Sequence, residues 1–179
     1  MMPFLLAAAL VAFTAAIIDW RTGHIPNPVT LVPLAAAPFA HLVHGLHAGG
    51  ANAGLFEMGG SVLGAVACGA VPFVAFVCGG MGGGDVKLLA ALGALTLPVI
   101  GLEAETYAFA VALFVAPVRL AYDGVLLRTL RNALTIVMNP FRSKSARKEI
   151  PAELLRWFRL GPSVFVGVVA ALVAHIGHF

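Results

Sequence analysis

The sequence predicts an all-α membrane protein with six transmembrane helices. Of its 179 residues, 60% are hydrophobic and only 11% are charged, and the mean hydropathy is +0.97. A soluble domain carries about 25% charged residues, so this chain lacks the polar residues that would cover a soluble surface. A spanning helix needs about 20 apolar residues, so six helices leave roughly 60 residues for loops. The composition excludes a soluble enzyme and a disordered protein, and it predicts a single membrane domain over residues 1–179.

Each predicted helix is an apolar segment that ends at polar residues, glycines or both. The first has no Lys or Arg ahead of it, whereas a cleavable signal peptide normally begins with basic residues, so we expect it to be retained. The small residues 48–54 separate the second from the third, and the glycine-rich residues 79–84 end the third. The fourth follows Asp85, a turn around Glu103 separates it from the fifth, and a polar stretch precedes the sixth. The six segments are residues 2–18, 28–47, 55–78, 86–101, 105–122 and 161–178.

The basic residues predict the orientation of these helices. If the six segments alternate across the membrane, all 11 Lys and Arg residues lie on one side. Since loops rich in Lys and Arg stay in the cytoplasm, that side is predicted to be cytoplasmic, and both termini are predicted to be non-cytoplasmic. A basic cytoplasmic loop then covers about residues 123–160. Within it, residues 153–159 suit an interfacial helix and a solvated loop equally well.

The net charge of +3 and the pI near 9.2 raise the question of an anionic partner. In a membrane protein such a charge is typical of contact with anionic lipid headgroups, so membrane lipids are the predicted partner. Because no motif of aromatic and basic residues accompanies the charge, nucleic acid is not predicted.

Two cysteines and a group of histidines are candidate metal ligands. Cys68 and Cys78 form no CxxC pair and are predicted to be buried apolar residues. His41, His44 and His47 lie near the outer end of the second helix, and two more histidines end the sixth. An interfacial position explains the histidines as well as a metal site does, and no metal is predicted.

Two aspartates at the ends of predicted helices are the strongest candidates for chemistry. Asp19 ends the first segment and Asp85 opens the fourth, and acidic residues at membrane depth are costly unless they have a function. The 66 residues between them allow one crossing and a return, so both carboxylates are expected at the cytoplasmic face. Two close carboxylates share one proton, so one can activate a water while the other protonates a carbonyl oxygen.

Alternatives to an aspartic protease remain open at this point. The glycines at 82–84 would let an extended substrate approach the backbone closely, and they are expected to adopt backbone conformations closed to other residues. Asp85 is equally well placed to cap the fourth helix, and either aspartate could be an interfacial residue. A proton-coupled transporter could use the same two acids as a relay, although transport acids tend to lie near the bilayer midplane.

The residues around both aspartates resemble a known family. Gly82-Gly83-Gly84-Asp85 matches the GxGD motif of intramembrane aspartic proteases, and the run to Gly93, GGGDVKLLAALG, resembles the type IV prepilin peptidases. Asp19, followed six residues later by Ile-Pro-Asn, is similar to the first catalytic motif of that family. The resemblance covers about residues 5–120 and the last segment, and it is weakest over the basic loop.

The resemblance implies a function and a set of site residues. The chain would be an endopeptidase of the bacterial inner membrane, cutting the basic leader from prepilins or pseudopilins at the cytoplasmic face. Asp19 and Asp85 would be the catalytic pair. The residues that would bind substrate or support the site are Gly82, Gly83, Gly84, Lys87, Pro26 and Asn27. Asn27 is expected to cap the second helix, and Lys87 either supports the site or anchors the cytoplasmic face.

One departure from the larger members of the family is informative. Those members carry a cytoplasmic insert with paired CxxC zinc ligands and also methylate the new N-terminus, whereas this chain has neither the insert nor those cysteines. It is therefore similar to the short, peptidase-only form of tight-adherence (Flp) pilus systems. No cofactor is predicted, neither zinc nor S-adenosylmethionine.

Overall fold

The computed structural model describes residues 1–122, 124, 127, 131 and 159–175. These residues form helices and contain no strand, which confirms the all-α prediction for the part of the chain that they cover. The helices are α1 (Met2–Thr22), α2 (Asn27–Val77), α3 (Gly83–Tyr122) and α4 (Gly161–His175). The first three are long and apolar enough to cross a membrane, and α4 is a shorter apolar helix. The predicted interfacial helix and nearly all of the predicted basic loop lie outside the described residues.

The chain divides into two compact units. One comprises residues 1–111 with 159–179, and the other comprises residues 112–158. The described part of the second unit includes the end of α3, up to Tyr122. Both aspartates singled out by the sequence belong to the first unit.

Helix α2 reverses direction at Gly50. This residue has φ 80° and ψ −165°, a conformation that glycine adopts without steric cost. A Cβ atom on Gly45 would lie 2.7 Å from the Ala53 carbonyl oxygen and from the Gly54 Cα, so the two halves of α2 pack directly against each other. These halves match the predicted second and third segments. The number of membrane crossings stays a prediction.

Helix α3 is interrupted at Leu97, earlier than the turn predicted around Glu103. Leu97 has φ 64° and ψ 168°, and it is the one non-glycine residue with positive φ in the described chain. The extended ψ has a local cause, because the residue before a proline avoids the helical region and Pro98 follows. After the interruption the chain folds back, so that a Cβ atom on Gly101 would lie 3.0 Å from the Gly93 Cα.

Two buried side chains of α2 stabilise this interruption. The Ala94 carbonyl would normally accept the N–H of residue 98, which is a proline and has none. Instead the Ser61 hydroxyl donates to the Ala94 oxygen at 2.7 Å, and the His41 Nε2 lies 3.0 Å from the Leu95 oxygen. Ser61 and His41 are fully buried. Their burial is therefore explained by backbone carbonyls that the helix itself leaves unpaired.

Successive helical segments run in opposite directions. The Phe4 ring at the start of α1 stacks on His41 with centroids 3.8 Å apart, and Phe13 contacts Phe165 of α4 at 5.3 Å. At one end of the bundle, His44 bonds Glu57 at 2.8 Å, and His175 bonds Glu103 at 2.7 Å. The opposite end carries Asp19, Asp85 and Lys87, so the helix packing separates Glu57 and Glu103 from the two aspartates.

Candidate functional site

Asp19 lies in the last turn of α1, where a glycine ends the helix. Gly23 has the left-handed conformation, with φ 67° and ψ 19°, and its N–H donates to the Asp19 carbonyl oxygen at 2.8 Å. This is a common way for a helix to end, because glycine enters the left-handed region without strain. The Asp19 side chain is only 5% exposed and points into the bundle. The acid is thus held in the protein interior at a helix end.

Asp85 lies in the first turn of α3 and is half-buried. Its N–H donates to the Gly82 carbonyl oxygen at 3.1 Å, and its carboxylate accepts a hydrogen bond from the Gly82 backbone. A carboxylate bonded to the backbone three residues earlier is typical of a helix start. Asp85 is therefore not the N-cap residue considered from the sequence, because α3 begins at Gly83, but its carboxylate bonds the backbone of Gly82, just before the helix.

The structure brings the two aspartates together. Their carboxylates interact electrostatically at the same end of the bundle, although 66 residues separate them in the chain. A close contact between the two motifs supports this arrangement, since a Cβ atom on Gly84 would lie 3.3 Å from the Ile25 Cβ. Ile25 is buried and belongs to the Ile-Pro-Asn stretch that follows Asp19. Gly84 therefore allows the α3 start to pack on the segment between α1 and α2.

Glycines 82–84 do not use the backbone freedom expected of them. Among the described residues the positive φ angles near this turn belong to Gly79, at 79°, and not to residues 82–84. A Cβ atom on Gly83 would lie 3.5 Å from the Phe76 ring, and one on Gly84 would lie against Ile25. At Gly84 the requirement is therefore space for a neighbouring backbone segment, not an unusual conformation.

The residues around Asn27 correct one expectation. The cap of α2 is Pro26, in an extended conformation with φ −66° and ψ 141°, and Asn27 is the first helical residue with no side-chain cap bond. The prediction that Asn27 caps α2 is thus wrong. Its Oδ1 instead accepts a hydrogen bond from the Lys87 Nζ at 2.9 Å. Lys87 therefore links the start of α3 to the start of α2, close in sequence to Asp85.

Sequence reasoning missed two residues at the start of α4. The Gly161 N–H donates to the Asp19 Oδ2 at 3.0 Å, and the Arg159 Nη1 donates to the Trp20 carbonyl oxygen. The Gly-Pro pair at 161–162 is a recognisable helix start, but nothing local shows that this start meets Asp19. The contact joins residues 142 positions apart, so only the packing of the helices reveals it.

Two further expectations change with the structure. Glu105, which begins the predicted fifth segment on the non-cytoplasmic side, is 5% exposed and interacts with the Cys68 thiol inside the bundle. Cys68 is buried as predicted, whereas Cys78 is exposed, so the prediction for the second cysteine is wrong. Among the described residues, no group of three or more His, Cys, Asp or Glu side chains is arranged to hold a metal ion.

The site thus offers two interacting carboxylates held by helix ends, with a backbone donor on each and the ammonium group of Lys87 nearby. Such a pair can activate a water and protonate a carbonyl oxygen. In comparisons with known proteins, residues 6–118 match the model of the type IV leader peptidase family, which is more than half of the chain. Neither the curated proteins nor the solved structures gave a match. The matched range contains both aspartates and ends before α4.

Proposed function

The chain belongs to the type IV leader peptidase family, and we propose that it is an intramembrane aspartic endopeptidase. Its substrates are type IV prepilins or pseudopilins, and it removes their leader at the cytoplasmic face of the bacterial inner membrane. The observation that carries this proposal is that α1 and α3 place Asp19 and Asp85 at the same end of the bundle, near enough for their charges to interact.

The mechanism needs both carboxylates and one water. One carboxylate, ionised, takes a proton from the water as the oxygen attacks the scissile carbonyl carbon. The other, protonated, gives its proton to the carbonyl oxygen. In the second step the carboxyl group that gained a proton donates it to the leaving amine and the C–N bond breaks. The other carboxylate takes back a proton from one hydroxyl of the tetrahedral intermediate, which collapses to the carboxylic acid. The pair returns to its starting state, with one proton shared between the two acids.

Neighbouring residues keep this pair in position. Gly84 lets α3 approach Ile25, and the Lys87 ammonium group bonds the Asn27 side chain at 2.9 Å. Gly82 bonds Asp85, while Gly83 packs on an aromatic ring and Pro26 sets the direction of α2. Catalysis by two acids requires this positioning, because a misplacement of about 1 Å can cost about 100-fold in rate.

The proposed topology has six crossings in one membrane domain, with both termini outside the cytoplasm and the 123–160 loop inside. Two observations support it. The helical segments on either side of Gly50 and of Leu97 reverse direction. The described basic residues Lys87 and Arg159 lie at the end of the bundle that holds the aspartates, as the positive-inside rule requires. The short form of tight-adherence (Flp) systems is the subtype that fits a chain without paired CxxC motifs.

A cleavage assay with purified protein tests the function. The full-length chain in lipid nanodiscs is incubated with a pilin precursor, and the Asp19→Asn and Asp85→Asn variants are compared with it. Each variant is expected to lose cleavage by about 100-fold or more, because it lacks a group that transfers protons. Glu57→Gln is the matched control, since that acid lies at the opposite end of the bundle. Full cleavage by either aspartate variant would overturn the proposal.

A further inference from the structure

We propose that the start of α4 completes the catalytic centre, with Gly161 and Arg159 acting as positioning residues for Asp19. The inference rests on the proposed function, in which Asp19 is a catalytic acid. It adds a part of the chain that lies outside the range matched by the family, which ends at residue 118. It also gives α4 a role in positioning a catalytic side chain, besides its role as an apolar helix of the bundle.

The first contact holds the Asp19 carboxylate itself. The Gly161 N–H donates to Oδ2 at 3.0 Å in a buried setting. The first N–H groups of a helix have no partner within the helix, so each needs an acceptor from elsewhere. Here Asp19 supplies it, and the positive end of the α4 dipole faces the carboxylate. The hydrogen bond fixes the rotation of a side chain that must be oriented for proton transfer.

The second contact explains why residue 161 is a glycine. A Cβ atom at this position would lie 2.9 Å from both the Cβ and the Oδ2 of Asp19, and 3.2 Å from the Ala16 Cα. The Asp19 Cβ is fixed to its helix backbone, so it cannot move aside cheaply. Any side chain at 161 therefore pushes α4 away from α1 or rotates the carboxylate out of place.

The third contact holds the end of α1 in place next to Asp19. The Arg159 Nη1 donates to the Trp20 carbonyl oxygen, and the Arg159 Nε lies 3.8 Å from where a Gly23 Cβ would be. A cation at the carbonyl end of a helix is favourable, because the unpaired carbonyls there carry partial negative charge. Arg159 thus contacts the chain just after Asp19, while Gly161 contacts the Asp19 carboxylate.

The test is the Gly161→Ala variant of the full-length protein, assayed on the pilin precursor in nanodiscs. We expect kcat to fall by about 100-fold, the effect of a displacement near 1 Å, with KM changed by less than about threefold. We also expect a shift in the acidic limb of the pH profile of kcat/KM, because the added Cβ displaces the residue 161 N–H from the Asp19 carboxylate and weakens that hydrogen bond. A loss of helix packing alone would not move that limb.

Gly167→Ala is the matched control in the same helix. Its Cβ would lie 2.5 Å from the Ala104 carbonyl oxygen, so it strains α4 packing away from the aspartates. We expect it to lower the unfolding temperature while kcat and the pH profile stay near wild type. The inference is overturned if Gly161→Ala keeps wild-type kcat and pH profile. It is also overturned if Gly167→Ala, at equal loss of stability, lowers kcat by the same factor.

Arg159 provides a second test if the Gly161→Ala protein does not fold. Arg159→Ala should lower kcat by about tenfold or more, and Arg159→Lys, which keeps a cationic donor, should recover part of the loss. Equal activity of wild type and both variants would overturn the inference. Asp19→Asn in the same preparation separates the two proposals. If it still cleaves, the proposed function fails, whereas if it is inactive and the α4 variants are normal, only the role of α4 fails.

Discussion

The tightest helix crossing in the bundle gives a quantitative prediction for Gly64→Ala. A Cβ atom on Gly64 of α2 would lie 2.1 Å from the Gly93 carbonyl oxygen and 3.1 Å from the Leu97 carbonyl carbon. An ordinary contact begins near 3.4 Å, so the two helices would have to separate by about 1.3 Å at this point. Overpacking of this kind costs about 1–3 kcal/mol in the free energy of unfolding.

Other glycines of the same helix provide the comparison. A Cβ atom on Gly60 would lie 3.4 Å from the Leu97 side chain, and one on Gly59 would have no neighbour within 4 Å. We expect Gly59→Ala and Gly60→Ala to change the free energy of unfolding by no more than about 0.5 kcal/mol. The measurement is unfolding in mixed micelles by titration with a denaturing detergent, followed by circular dichroism. Equal stability of the three variants would refute the account of the crossing.

The Gly64→Ala substitution should also displace residues of the candidate site. Asp85 lies eight residues before Gly93 in the same helical segment, so moving Gly93 moves the start of α3. We expect Gly64→Ala to lower kcat for prepilin cleavage by more than Gly60→Ala does. If Gly64→Ala proved unstable yet cleaved at the wild-type rate, the site would not depend on this crossing.

Three further predictions follow from single contacts. Ser61→Ala leaves the Ala94 carbonyl without its donor and should lower the free energy of unfolding in detergent titrations by about 1–3 kcal/mol. Lys87→Met, which cannot donate to Asn27, should reduce cleavage more than Lys87→Arg in a kinetic assay, because arginine keeps a cationic donor. Glu105→Gln should leave the cleavage rate near wild type, because Glu105 interacts with Cys68 in the bundle interior and is not an acid of the catalytic pair.

Each of these has an outcome that contradicts it. Unchanged stability of Ser61→Ala would show that the Ala94 carbonyl finds another donor. Equal cleavage by the two Lys87 variants and wild type would show that the hydrogen bond from Lys87 to Asn27 does not support catalysis. Loss of cleavage in Glu105→Gln would implicate the bundle interior in proton transfer, as a relay through the helices requires. Proton-coupled uptake into proteoliposomes would then be the next measurement for that variant.

The interruption of α3 has a signal in the sequence that the prediction of the turn did not use. Pro98 follows Leu97, and a residue before proline avoids the helical conformation, so the interruption of α3 has a local signal. The charge of Glu103 predicts a turn further along the chain, but Pro98 decides where α3 is interrupted. The buried position of Glu105 follows from this shift, since the chain turns back earlier and carries the acid into the bundle.

Other features had no local signal. The Lys87 bond to Asn27 joins residues 60 positions apart, and the Gly161 bond to Asp19 joins residues 142 positions apart. Asn27 was expected to cap its own helix because asparagine commonly does so. At the start of α2 the Asn27 side chain could bond the backbone of its own helix or the Lys87 side chain. The packing of α3 against α2 favours the bond to Lys87.

The sequence by itself determined that this chain belongs in a membrane, that its apolar segments are helical and which two acids stand out. These are local properties, because hydrophobicity, charge and motif spacing act over one helix or one turn. Only the tertiary structure decided what surrounds the acids. The start of α4, the Lys87–Asn27 bond and the Gly84 contact all arise where separate helices meet, and their geometry depends on how closely the backbones pack. Because the chain has so few charged residues, the two acids can be identified from the sequence, whereas the residues that contact them depend on how the helices pack.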